Sequence, residues 1–298
     1  MLAGIALASA TAAVAAPAAA APAPGKAPDH AVASHEAAMS KAEQRQVEDY
    51  WTPERMRSAT PSDLARPGKQ NPGKGHGKGG KNRTDAVQES PQPELGKVFF
   101  TLGGTDYVCS GTATTSGNAD VVTTAGHCLN EGPGDYATNF AFVPAYENGN
   151  RPYGTWTAAQ LFTTSQWANS GDFEYDAGFA VMNENSSGQS LTDVVGSYPI
   201  AFNAPRGLTY TSYGYPAGPP FDGESLWSCT GTATDDPNGS TTQGIPCDMT
   251  GGSSGGGWIT GGELNSVNSY KYIVDPSTMY GPYFGSTIQS AYAAAAGA

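Results

Sequence analysis

From Glu94 onward the chain is cut into short runs of Val, Phe, Tyr and Thr separated by Gly, Asn, Asp and Pro, and this texture limits what it can fold into. KVFFTL, YVCSGTAT, DVVTTAG, NFAFVPA, FAVM, LTYTSYG, LWSCTGTA, WIT and LNSVNSY each read as a short strand. β-Branched and aromatic side chains suit a half-buried pleated surface, and the residues between them suit turns. With no helical periodicity in between, strands so spaced predict an all-β sandwich or barrel. Within this part only the tail TIQSAYAAAAGA reads as a helix.

The preceding residues are of a different kind. Residues 2–25 carry no charged side chain, are mostly alanine and end in small residues, which reads as a signal peptide over residues 1–24 cut near Ala19–Ala23. Alanine is only weakly apolar, and Pro17, Pro22 and Pro24 interrupt the run, so export is expected rather than a membrane anchor. Residues 25–65 include the helix-favouring HEAAMSKAEQRQVEDYW, with Asp29 and Ser34 near its start and Pro53 and Pro61 beyond it. Residues 66–83, RPGKQNPGKGHGKGGKNR, offer almost nothing apolar to bury, and together with residues up to 93 they read as a flexible basic linker. Signal peptide, partly helical propeptide (25–65), linker (66–93) and β domain (94–298) form the layout of a secreted precursor. A mature N-terminus is expected between Asn82 and Val98. The alternative for residues 30–65 is a small module that binds a cell wall or a partner.

Charge is divided unevenly. Residues 1–90 hold eleven Lys/Arg against nine Asp/Glu, whereas residues 91–298 hold four against eighteen, a net −14. So acidic a domain lacks the basic patch that phosphate neutralisation requires, which excludes nucleic acid as a partner. The expected partners are protein or peptide substrates, with no membrane contact after signal cleavage and a monomeric state. The four cysteines, Cys109, Cys128, Cys229 and Cys247, all lie in the acidic part and read as two disulfides formed outside the cytosol. Three connectivities are open, and the local one, Cys109–Cys128 with Cys229–Cys247, is expected. A zinc site is disfavoured, because the chain has no CxxC pair and few histidines.

Chemistry concentrates around Gly251-Gly252-Ser253-Ser254-Gly255-Gly256-Gly257. A backbone this rich in glycine can turn sharply and expose the Ser254 hydroxyl, with the amides of Gly252 and Ser254 aimed at one point as oxyanion donors. Taken alone, the row reads as a flexible Gly/Ser loop, and the motifs that accompany it point to the other reading. Of the four histidines, His30, His35 and His76 precede the β domain, leaving His127 as that domain's one imidazole, in Thr124-Ala125-Gly126-His127-Cys128. A disulfide at Cys128 would fix the loop that presents it, and fixed geometry is what a general base needs. No histidine follows Ser254, which excludes the α/β-hydrolase order for a GxSxG serine. The order His127, acid, Ser254 is that of a double-barrel hydrolase. Asp176, between Tyr175 and the small-apolar run from Ala177 to Met182, is the preferred acid, and Asp172 is its rival.

Together, TAGHC, YDAGFAV and GGSSGG resemble the trypsin/chymotrypsin-like serine peptidases, and CDMTGGSSG is similar to the bacterial glutamyl-endopeptidase branch. The resemblance covers about residues 95–285 and implies two antiparallel six-stranded barrels with the site between them. It implies His127 as base, Asp176 as orienting acid, Ser254 as nucleophile and the Gly252 and Ser254 amides as the oxyanion hole, with no metal or cofactor. It further implies a substrate edge at Ser269-Tyr270-Lys271, from which Lys271 is a departure. Ser253 replaces the aspartate that pairs with a new N-terminus in digestive enzymes, so that switch is expected to be absent. Asn268 stands where a carboxylate-binding histidine is expected. Asp248, six residues before Ser254, could floor a pocket for basic side chains, while Lys271 could meet acidic ones; no strict acidic preference is expected. The function expected is a secreted serine endopeptidase. The rivals are a catalytically inactive double-barrel binding protein and an esterase on the same scaffold.

Overall fold

A computed structural model describes residues 1, 32–62, 65–66, 86–238 and 241–298. The signal-peptide reading falls outside these residues, as does the linker apart from Arg66 and the stretch from residue 86. Six strands close the first barrel: β5 (Leu95–Leu102), β6 (Thr105–Thr114), β7 (Val121–Thr124), β8 (Thr138–Pro144), β9 (Trp156–Thr164) and β10 (Gly178–Met182). They pair antiparallel in the order β9-β10-β7-β6-β5-β8, and β8 returns to β9 through Ala141↔Thr157 and Phe142↔Trp156. Closure removes the sheet edges and lets alternate side chains fill the centre. Val98, Phe100, Val122, Phe142, Leu161 and Phe179 meet there with at most 8% of any buried member exposed.

The second half holds β11 (Thr209–Gly214), β12 (Trp227–Thr232), β13 (Thr234–Asp235), β14 (Gln243–Pro246), β15 (Gly257–Thr260), β16 (Glu263–Val267), β17 (Tyr270–Tyr272) and β18 (Asp275–Gly281). These form the sheets β16-β15-β11-β12 and β13-β14-β18-β17. Between them lies a separate core of Tyr210, Ile245, Met249, Trp258 and the Cys229–Cys247 disulfide. The tail is helical, α5 (Ser286–Ala296), and it buries Ile288, Ala291 and Ala295 against the core of the first barrel. Two helices absent from the sequence reading, α3 (Ser165–Ser170) and α4 (Leu191–Val195), are single turns in loops.

The segment before the barrels is built into the fold. Its helix starts later than the sequence suggests, because Ser40 forms a capping box with Glu43 and α1 spans Lys41–Tyr50. The residues around Ser34 are instead strand β1 (Val32–Glu36), paired antiparallel with β9. A short helix α2 (Pro53–Ser58) follows, and Trp51 and Met56 pack against Phe99, Val108 and Tyr146 of the barrel. Three short strands finish the segment: β2 (Thr60–Pro61) lies parallel on β6, β3 (Ala65–Arg66) parallel on β17, and β4 (Val87–Gln88) antiparallel on β12.

Candidate active site

The pairing of β7 with β10 assembles the first half of the site. Gly178 stands opposite Thr124, which sets Asp176, just before β10, beside the 3-10 turn Gly126–Cys128 that follows β7. The Asp176 carboxylate accepts the His127 backbone N–H at 2.8 Å on one oxygen and faces His127 Nδ1 at 2.8 Å with the other. The Ser269 hydroxyl also donates to that second oxygen. Asp176 is fully buried, so its charge is met by fixed donors instead of water. The arrangement orients the ring: Nδ1 donates to the Asp176 carboxylate, and Nε2 is the nitrogen on the opposite side of the imidazole. Nε2 is buried with no hydrogen-bond partner. Asp172, the rival acid, instead caps the turn Phe173–Tyr175 by accepting the Glu174 amide.

Trp167 closes one side of this pair, 6.1 Å from the imidazole between ring centres, with its Nε1–H donated to the Asn130 carbonyl. Gly126 has to be glycine: a Cβ there would lie 2.9 Å from the Trp167 ring and 3.0 Å from the Asp176 carboxylate. The Cys109–Cys128 disulfide anchors the turn to β6.

The second half of the site is the glycine row. Gly252 and Gly255 have φ of +93° and +81°, in the left-handed region that glycine occupies without strain. Space makes the same demand at Gly255, where a Cβ would collide with Thr124 Oγ1 and the Ser110 carbonyl. Ser110 ties the row to the first barrel: its N–H donates to the Ser254 carbonyl at 2.7 Å and its hydroxyl to the Gly252 carbonyl at 2.9 Å. Cys128 Sγ lies 3.9 Å from the same Ser254 carbonyl, so the row abuts the His127 turn. Ser253 points elsewhere, donating its hydroxyl to the Thr250 carbonyl. The Gly252 amide donates at 2.9 Å to the carbonyl of Ser62, in the N-terminal segment.

The residues singled out for a substrate pocket divide by what they touch. Asn268 is fully buried and bonds to Ser212, Trp258 and the carbonyls of Tyr213 and Ser253, bracing the back of the glycine row. Lys271 Nζ donates to the carbonyls of Cys247 and Pro276, each at 2.8 Å. Tyr270 and Tyr272 converge through their hydroxyls on Asp236. Asp248 accepts the Ala86 N–H at 2.7 Å. Sequence reasoning passed over Ser110, Trp167 and Asp236, which lie in unremarkable contexts and matter through partners distant in the chain.

No protein-family model matches the chain. Among solved structures, it is similar to the protease Anisep from Arthrobacter nicotinovorans, 60% identical, with 72% of this chain covering 100% of that one at a TM-score of 0.70. It is similar also to the thermostable serine protease AL20 from an extremophilic microorganism, 52% identical, with 69% of this chain over 98% of that one and a TM-score of 0.67. A Glu endopeptidase, 19% identical with a TM-score of 0.59, shares the fold over 98% of its length and 73% of this chain. A curated relative, the extracellular metalloprotease of Bacillus subtilis, is 26% identical over 177 residues, 59% of this chain, which spans only 44% of that relative's length. Among the described residues the nearest candidate donor set for a metal is Cys109, His127 and Cys128, and the two sulfurs are joined to each other.

Proposed function

This chain belongs to the chymotrypsin-fold serine proteases, and from that membership we propose a secreted endopeptidase, made as a precursor, that opens peptide bonds through an acyl-enzyme on Ser254. The observation that carries the reading is the buried His127–Asp176 pair, on a turn whose Cys128 Sγ lies 3.9 Å from the Ser254 carbonyl of the glycine row. In the reaction, Nε2 takes the Ser254 proton as the hydroxyl attacks the scissile carbonyl, then returns it to the leaving amine. Asp176 holds the imidazole and stabilises the charge it gains. The Gly252 and Ser254 amides receive the developing oxyanion, a contribution of about 3–4 kcal/mol per donor in such sites. Water then repeats the sequence on the acyl-enzyme, with His127 again as base.

The precursor reading rests on Ser62. Its carbonyl accepts from the very amide that an oxyanion would use, while β2 and β3 run along β6 and the candidate substrate edge β17. In that state a substrate carbonyl is excluded from the Gly252 amide. A strict acidic preference is not proposed, because Lys271 is engaged with two carbonyls and Asn268 with the back of the row. The test is reaction with a fluorophosphonate. Processed protein should label at Ser254, lose labelling on heat denaturation and cleave peptides, whereas the full chain should label slowly. A folded, processed protein that never labels would be a binding protein instead.

A further inference from the structure

The end of the N-terminal segment that meets the second half does so through a bond for which the proposed reaction has no use. Ala86 N–H donates to Asp248 Oδ1 at 2.7 Å, across 162 positions of sequence. The residues after Ala86 hold themselves in place. Val87 and Gln88 pair with Ser228 and Trp227, the Glu89 amide donates to the Leu226 carbonyl at 2.8 Å, and Ser228 Oγ donates to Glu89 at 2.6 Å. Ala86 itself packs against the core around Cys229, Cys247 and Met249. Asp248 is half-buried and, among the ion pairs of the described residues, has no cationic partner. A half-buried carboxylate met by one neutral amide leaves most of its lone-pair sites without a strong donor.

We propose that Ala86 is the N-terminal residue of the active enzyme and that its ammonium group closes onto Asp248, making that carboxylate an internal counter-ion and not a receptor for basic substrate side chains. The proposal rests on the peptidase reading above. In the maturation step, water adds across the peptide bond before Ala86: the C–N bond breaks, Asp85 keeps the hydroxyl as a carboxylic acid that ionises, and Ala86 nitrogen gains hydrogen to become an amine. At neutral pH a further proton makes it ammonium. A neutral donor at 2.7 Å thereby becomes a charged one with three protons to offer, and charge-assisted bonds are roughly twice as strong as neutral ones.

The experiment starts with Edman sequencing of the secreted, active protein, for which the expected first residue is Ala86. A fully active enzyme beginning elsewhere overturns the proposal. Asp248→Asn should then lower the melting temperature of the processed enzyme by about 3–8 °C. It should cost less than half as much in a Ser254→Ala precursor, where only an amide faces the site; equal losses overturn the charge pairing. Rates on peptides with Arg, Leu or Glu before the cut should fall in parallel in Asp248→Asn. A selective loss of about tenfold or more for Arg would instead make Asp248 the pocket floor. Should that variant fail to fold, selective acetylation of the wild-type α-amine supplies the same answer: it should reproduce the melting loss, and charge-preserving reductive methylation should not. Identical melting after both treatments overturns the pair. Fluorophosphonate labelling separates the two readings: a first residue at Ala86 without labelling of Ser254 defeats the peptidase alone, and labelling with another first residue defeats the latch alone.

Discussion

At the scale of residues, adjacent serines make the sharpest test. Ser254→Ala should fold as the parent does yet lose about three or more orders of magnitude in kcat, because nucleophile and base act as a unit. Ser253→Ala removes only a bond to the Thr250 carbonyl and should keep kcat within about tenfold, a loss of some 1.4 kcal/mol. Assay of both with one peptide decides which serine reacts. Ser269→Ala takes one of three donors from a buried carboxylate, and a kcat reduced about tenfold with KM little changed is the expected result of a less firmly held imidazole. How far these roles can be read in sequence depends on what surrounds them. The proposed triad of His127, Asp176 and Ser254 stands out in sequence because each sits in a short motif with distinctive neighbours: a cysteine, an apolar strand-like run, a row of glycines. Ser110 is invisible and Ser269 is legible only as part of the Ser269-Tyr270-Lys271 edge, since nothing near either serine says that its partner is 142 or 93 positions away.

Among elements, β17 shows how a strand of three residues can be kept rigid. Tyr270 stacks on Tyr280 at 5.3 Å, and Tyr270, Tyr272 and Thr242 all direct hydroxyls at Asp236. Burial by itself would raise the Asp236 pKa; hydrogen bonds from Tyr270, the Asn238 backbone, Tyr272 and Thr242 outweigh it and bring the value down to about 2 from 3.8. A folded-state pKa below the unfolded one contributes stability above pH 3.8 that is lost as the pH falls towards 2. Melting temperature followed across that window should therefore drop more steeply for the parent than for Asp236→Asn, which should be less stable at neutral pH. Superimposable acid limbs would contradict this. Strands such as KVFFTL and LTYTSYG are legible from their own side chains, whereas β9 and β18 are not. β9 carries Ala-Ala-Gln at its centre, poor strand formers locally, and is made a strand by ladders to β1, β8 and β10. β18 opens with Asp-Pro-Ser, a turn signal, and its pairing with β14 begins only at Thr278.

For the whole molecule, the N-terminal segment and the barrels share one core. Trp51 is 1% exposed, donates Nε1–H to the Asn139 carbonyl at 2.6 Å and lies 5.4 Å from Phe99. Truncating such a side chain typically costs about 3–5 kcal/mol. Trp51→Ala in the full chain should therefore speed fluorophosphonate labelling about tenfold or more relative to the parent precursor, while leaving the processed enzyme as it was. Unchanged labelling would mean that the segment does not guard the site. Layout is legible here and integration is not: composition separates the segment from the barrels, but only the fold shows β1 extending β9 and Trp51 completing a core. A related consequence concerns time. The last strand of the first barrel ends at Met182, yet the helix that covers β9 and β10 starts at Ser286, about a hundred residues later. At ribosomal speeds of about 5–20 residues per second, that barrel waits roughly 5–20 s for Ile288, Ala291 and Ala295 to seal its apolar seam. A nascent chain is thus an unfinished hydrolase for as long as it is being made.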